Sequence, residues 1–191
     1  MQAIMPVTQA NMDVIIASQG SLGQLGIERL FADHKELVFR AAYRVTGNSS
    51  DAEDVLQTVF LRLLRLEQTP EIHHLRAYLH RAAVNAALDL LRTRKDNQNL
   101  PLDDQPEIVG TESASRLQET RELSVWLRAA LGRLNPRWAE MFVLRFIEDY
   151  SNQEIARMMK TSAAVVAVAL HRTRAQLRKD YGATMKTRGA R

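Results

Sequence analysis

Between Ser151 and Lys179 the sequence SNQEIARMMKTSAAVVAVALHRTRAQLRK permits little besides two helices around a tight break. Ser151 stands three residues before Glu154, the spacing of a capping box in which each side chain satisfies an orphan amide of the other residue. Ile155, Ala156 and Met159 follow as a short apolar stripe at helical spacing. Lys160 and Thr161 form the break, and Ser162 is placed to cap a second helix. Spacing turns Val166 and Leu170 of that helix inward, and Arg172, Arg174, Arg178 and Lys179 outward. A short helix, a turn of a few residues and a longer helix with a basic end is the helix-turn-helix pattern, whose second helix can enter a major groove.

The same 3.6-residue period runs through the chain upstream. Leu30, Phe31, Leu37, Val38, Ala41, Ala42 and Val45 mark a helix over 27–46, ended by Gly47 and Asn48. Ser49 or Ser50 is expected to cap the next, over 49–66, with Asp51, Glu53 and Asp54 in the first turn, where the helix dipole favours carboxylates. A loop with Pro70 leads to a third helix over 75–95 that buries Leu75, Leu79, Ala82, Ala83, Ala86 and Leu90. On another face Tyr78, Arg81, Asn85 and Arg92 recur at roughly helical spacing. The pattern dissolves over 97–115, where Pro101, Pro106, Asp103, Asp104, Glu107 and Glu112 describe a flexible acidic linker. Helical signals resume over 116–134, and Pro136 opens a short helix with Met141, Phe142 and Leu144. No strand pattern and no internal repeat is present. The expected fold class is all-α: two small helical domains, 27–96 and 116–181, with a loose N-terminal arm over 1–26 and a disordered basic tail over 182–191.

Composition narrows the function classes. The 191 residues carry a net charge of +4, which points weakly to a polyanionic partner. No cysteine is present, so disulfides and thiolate metal sites are excluded. No basic residue precedes Arg29, and the longest apolar run, Ala163 to Leu170, is far too short to span a bilayer; a soluble, cytoplasmic protein without membrane insertion is expected. His73 and His74 beside Glu71, with His80 nearby, lack the spacing and supporting groups of a metal site. Nor is there a nucleophile–base pair or a phosphate-cradling glycine loop. The chain is read as a non-enzyme without cofactor or metal.

Three segments carry a resemblance. DAEDVLQTVFLRLLRL (51–66), LRAYLHRAAVNAALDLLRTRK (75–95) and LGRLNPRWAEMFVLRFIEDYSNQEIARMM (131–159), in this order and with these gaps, resemble the extracytoplasmic-function sigma factors. These are small bacterial sigma subunits that retain regions 2 and 4 of the larger sigma proteins. The resemblance covers about 27–181 and implies that region 2 (27–96) binds the β′ clamp helices of core RNA polymerase and helps to melt the minus-ten element. Region 4 (116–181) would bind the β flap and dock on the minus-thirty-five element of promoter DNA, with the linker running near the RNA exit path.

Residue by residue, the resemblance makes Asp51, Asp54, Gln57, Phe60 and Leu61 polymerase contacts. Plain dipole complementation is the rival explanation of the acids. Arg76, Tyr78, Arg81, Asn85 and Arg92, with Asp89 among them, match the minus-ten helix: arginines hold phosphates, and an amide or an aromatic ring receives an unstacked base. Tyr78 stands where the family commonly has tryptophan. The loop 67–74 corresponds to the one that reads a flipped base. For the minus-thirty-five element the candidates are Thr161, Ser162, Ala163, Val166, His171, Arg172 and Arg174. Val165, Ala167 and Ala169 stand where the family often shows threonine, lysine and arginine. Alanine and valine can touch a thymine methyl but make no bidentate base contact. That apolar face offers a surface to a protein such as an anti-sigma factor. Trp126 and Trp138 are expected in the core or at the flap.

Two rival functions remain open at this level. A free-standing helix-turn-helix regulator that dimerises on a palindrome would leave 27–96 without a purpose and needs a dimerisation helix for which no segment is left. A protein that keeps the sigma fold only to sequester a partner would tolerate substitution of Arg81, Asn85 and Arg92.

Overall fold

The computed structural model describes residues 24–65, 75–96 and 114–189. Among them are seven helices and no strand: α1 (Gln24–Thr46), α2 (Ser49–Leu64), α3 (Leu75–Asp96), α4 (Ala114–Leu131), α5 (Pro136–Phe146), α6 (Asn152–Met158) and α7 (Ala163–Gly189). The arm before residue 24, the loop with His73 and His74, and most of the acidic linker lie outside the described residues.

Chain reversals are made by identifiable local chemistry. Gly47, at φ +69°, ends α1 with its amide on the Tyr43 carbonyl, a left-handed turn open to glycine at little cost. The cap of α2 is Asn48, whose side chain accepts from the Asp51 amide at 3.0 Å; the serines expected there lie inside the helix. Asn is as good a cap as Ser, and Asn48 reaches the third amide because its own backbone is extended. Asn135 caps α5 ahead of Pro136. Ser151 and Glu154 form the anticipated capping box on α6. Lys160, at φ +50°, closes α6 with a Schellman motif: its amide reaches the Arg157 carbonyl, and the Thr161 amide reaches Ala156. Ser162 then caps α7 through the Val165 amide at 3.2 Å. The seven-residue α6 is therefore held at both ends by side-chain and backbone bonds it could not supply alone.

Helices α1, α2 and α3 pack on one another through Val38, Ala41, Val45, Val55, Val59, Leu63, Leu79, Ala83 and Leu88. Helices α5 and α6 pack on α7 through Met141, Val143, Leu144, Ile155, Val166 and Leu170. Each large aliphatic side chain fully buried here contributes about 1.5–3 kcal/mol of transfer free energy. The two groups are not separate. Helix α3 also packs against α4 and α5, and the buried apolar residues form one continuous cluster. Helix α7 continues to Gly189, so the tail expected to be disordered from residue 182 is helical almost to its end. Tyr181 helps to hold this extension, its ring meeting Trp126 of α4 edge-on at 4.8 Å.

Candidate functional site

Helix α2 sorts the five expected polymerase contacts into two sets. Asp54, Gln57 and Leu61 are exposed along one face, joined by Leu64. Asp51 and Phe60 are not available. Asp51 is 1% exposed, and its two carboxylate oxygens take both terminal nitrogens of Arg94 near the end of α3. It is a fork-to-fork pair that pins the start of α2 to α3. Phe60 is buried edge-to-face against Phe31, centroids 4.9 Å apart. Both residues are structural in this conformation, because helical periodicity places them on the side of α2 that meets its neighbours.

The minus-ten candidates are also divided. Arg76 and Tyr78 are exposed at the start of α3. Arg81 and Asn85, one and two turns on, face α5 instead. Arg81 Nε donates to Glu140, its Nη1 donates to the Met158 carbonyl at 2.9 Å, and Asn85 Nδ2 donates to the same Glu140 oxygen at 3.1 Å. Arg92 is half-buried, with Nη1 on Asp89 at 2.7 Å and Nε and Nη2 buried without a hydrogen-bond partner among the described residues.

Helix α7 shows what an apolar recognition helix becomes in three dimensions. Val166 is fully buried and belongs to the core, a correction to its expected place among the base-reading residues. Thr161 and Ala163 are half-buried, and the Ser162 hydroxyl is engaged as a cap. His171, Arg172 and Arg174 are exposed, Arg174 with its guanidinium 5.7 Å from the Phe146 ring centre. Val165 and Val168 stand 49% and 51% exposed, forming with Ala164 and Ala167 an apolar strip on the outer face. Trp126 and Trp138 are half-buried and pack against the core.

A set of polar residues that sequence reasoning missed joins the two helical groups. Glu148, after α5, has a side chain only 1% exposed yet accepts from three nitrogens: Arg44 Nε at 2.9 Å, Arg44 Nη2, and His80 Nε2 at 2.6 Å. His80 Nδ1 is in turn hydrogen-bonded with the Tyr150 hydroxyl at 2.6 Å. Tyr150 is brought there by the left-handed Asp149, at φ +58°, which turns the chain so that the Tyr150 amide reaches the Leu144 carbonyl. Burial alone would raise the Glu148 pKa. The hydrogen bonds and charges of His80 and Arg44 together outweigh it and hold the carboxyl below its ordinary value. Burial, reinforced by the Glu148 charge, pushes the Tyr150 hydroxyl up. The available signal was Glu140, an acid inside the apolar run of α5. Its partners lie more than fifty residues away, beyond the reach of any local pattern.

Among the described residues no group of three or more potential ligands could hold a metal ion, and no helix is long and apolar enough to cross a membrane. Exposed among the described residues are the Asp54, Gln57, Leu61 and Leu64 face of α2, the start of α3 and the outer side of α7.

Two family models match the chain, one in each helical group. The family model described as sigma-70 region 2 matches residues 30–96, and that described as sigma-70, region 4, matches 124–177. The chain is 33% identical over 156 residues to the ECF RNA polymerase sigma factor SigE of Mycolicibacterium smegmatis, an alignment covering 81% of this chain and 60% of that longer protein. It is 31% identical over 157 residues to the RNA polymerase sigma-E factor of Streptomyces coelicolor, covering 82% of this chain and 86% of the relative. Among solved structures, CnrH in complex with the cytosolic domain of CnrY matches with a TM-score of 0.50 over 91% of this chain and 96% of that one, at 21% identity, which speaks for a shared fold. With both region models matched in order, and the Streptomyces protein matched along most of its length, the chain belongs to the extracytoplasmic-function sigma factors.

Proposed function

We propose that this sigma factor directs transcription initiation by docking the exposed face of α2 on core RNA polymerase and presenting α3 and α7 to the two elements of a promoter. The observation that carries the reading is the row Asp54, Gln57, Leu61 and Leu64: one acid, an amide and two leucines left exposed on a helix whose other side is packed. An exposed leucine pair on an otherwise well-packed helix is a surface suited to another protein. Arg76 and Tyr78 are ready to meet a melted strand, the arginine at phosphate and the ring under a base. His171, Arg172 and Arg174 supply the positive charge for duplex contact on α7.

The strip of Val165 and Val168 favours a second partner on the same helix. It has methyls for a thymine but no bidentate group for a purine, and its size and apolarity suit a protein such as an anti-sigma factor. Nothing in this mechanism asks the chain for a catalytic step, a cofactor or a metal; chemistry stays with the polymerase.

Run-off transcription on fragmented genomic DNA with purified core polymerase, with and without the protein, tests the reading. Discrete transcripts that depend on the protein are expected. Silence without core binding would overturn it and bring forward a free-standing regulator. Silence despite core binding would favour a sequestering role.

A further inference from the structure

Residues 171–191 hold seven lysines and arginines and one acid, Asp180, a net charge of +6. The whole chain carries +4, so residues 1–170 together are net negative. The positive balance belongs to one end of α7 and not to the molecule at large. Its basic residues also differ in setting from those upstream. Arg40, Arg44, Arg81, Arg92 and Arg94 are each paired with a carboxylate. Arg178, Lys179 and Lys186 are exposed, and none of them forms an ion pair among the described residues.

The match to sigma-70, region 4, ends at residue 177, yet α7 runs on to Gly189. It does so through Gly182, a residue type less favourable in a helix than any but proline. The Tyr181 ring, edge-on to Trp126 at 4.8 Å, ties the extension to α4 and sets its direction. At about 1.5 Å per residue, the segment past the match adds about 18 Å to the helix. Arg172, Lys179 and Lys186 stand seven residues apart, two helical turns, and so line one side with about 10 Å between charges. Between them on that side lie Ala175, Gly182 and Ala183, all exposed and small enough to let another backbone come close.

We propose that the extension of α7, through Arg178, Lys179 and Lys186, binds the phosphates of duplex DNA flanking the minus-thirty-five element, without reading its sequence. The proposal rests on the sigma reading for the place of that duplex, and on charge and helix geometry for the contact. Because α7 is one helix, a duplex docked on its first turns meets the extension at a fixed distance, and Arg172 belongs to both parts. Lysine is a hydrated point charge without the planar fork that reads a guanine, and alanine and glycine carry no base-reading group. Phosphate is the part of DNA such a face can hold.

Lys179→Ala with Lys186→Ala removes two charges at exposed positions and introduces the best helix former. With the full chain and a short random-sequence duplex, the slope of log affinity against log salt should shrink by about 1.8, the loss of two phosphate contacts. Lys179→Arg with Lys186→Arg should keep the wild-type slope. On polymerase holoenzyme and a promoter found by run-off transcription, phosphate-ethylation interference should reveal phosphates outside the minus-thirty-five element that matter to the wild type and not to the alanine variant. Identical interference patterns, or an unchanged salt slope, would overturn the proposal. A slope that shrinks on random single-stranded RNA but not on the duplex would overturn it as well, and make the extension an RNA contact. If the wild type gave no transcripts, the sigma reading would fail; the duplex salt slope and its arginine rescue would then decide the extension by themselves.

Discussion

At the scale of single residues, Asp51 and Asp54 show how burial divides roles that look alike in a sequence. They stand three positions apart in the first turns of α2, yet one is locked to Arg94 and the other faces solvent. Asp51→Ala should lower stability by about 3 kcal/mol, because Arg94 is left three-quarters buried without its carboxylate; urea denaturation would measure it. Asp54→Ala should change stability by less than about 0.5 kcal/mol, as surface substitutions do, and weaken binding to core polymerase in a pull-down or titration. The acids were legible as helix-start residues. Which of them was free was not, since Arg94 lies forty-three residues downstream and only the packing of α2 on α3 brings it near. Val166 teaches the same lesson: its helical phase pointed inward, and its full burial removes it from the base-reading set.

At the scale of elements, the helix-turn-helix is the part most completely written in local sequence. Its capping box, its left-handed closure at Lys160 and its Ser162 cap each use residues no more than five positions apart. Ser151→Ala removes one side of the box and should cost about 1 kcal/mol, read as a lower melting temperature with unchanged helical content at low temperature. In the proposed function, helix α7 bears the electrostatic part of duplex binding. On polymerase holoenzyme and promoter DNA, Arg172→Ala should reduce the salt slope of log affinity by about one, the signature of a single lost phosphate contact. An unchanged slope would remove Arg172 from the interface. The extension of α7 to Gly189 was missed for a tertiary reason: the Tyr181 ring packs on Trp126 of α4, an anchor with no trace in the local pattern.

At the scale of the whole molecule, the joint between the two halves sets the behaviour expected in solution. The Glu148 pKa is depressed in the folded chain, so its contribution is fully present above the ordinary carboxylate value and is lost as pH falls through the depressed one. Denaturation midpoints measured across the acid range should fall more steeply for wild type than for Glu148→Gln. Parallel curves would mean that Glu148 does not couple the halves. Gly132→Val should loosen the same joint from its apolar side, since a side chain there meets the α3 backbone rather than a movable group. A lower urea midpoint would report it.

The sequence by itself determined the helices, the caps of the helix-turn-helix, the all-α class and the kinship with sigma factors. These depend on spacings of three or four residues, on capping chemistry within one turn, and on motif order along the chain. Only the tertiary structure decided which polar residues on those helices remain free. Arg81 and Asn85 share a helical face with Tyr78, but Glu140 takes them and leaves the tyrosine open. That choice follows from how α3 meets α5, a contact made by side chains more than fifty residues apart and selected by burial that no local window contains.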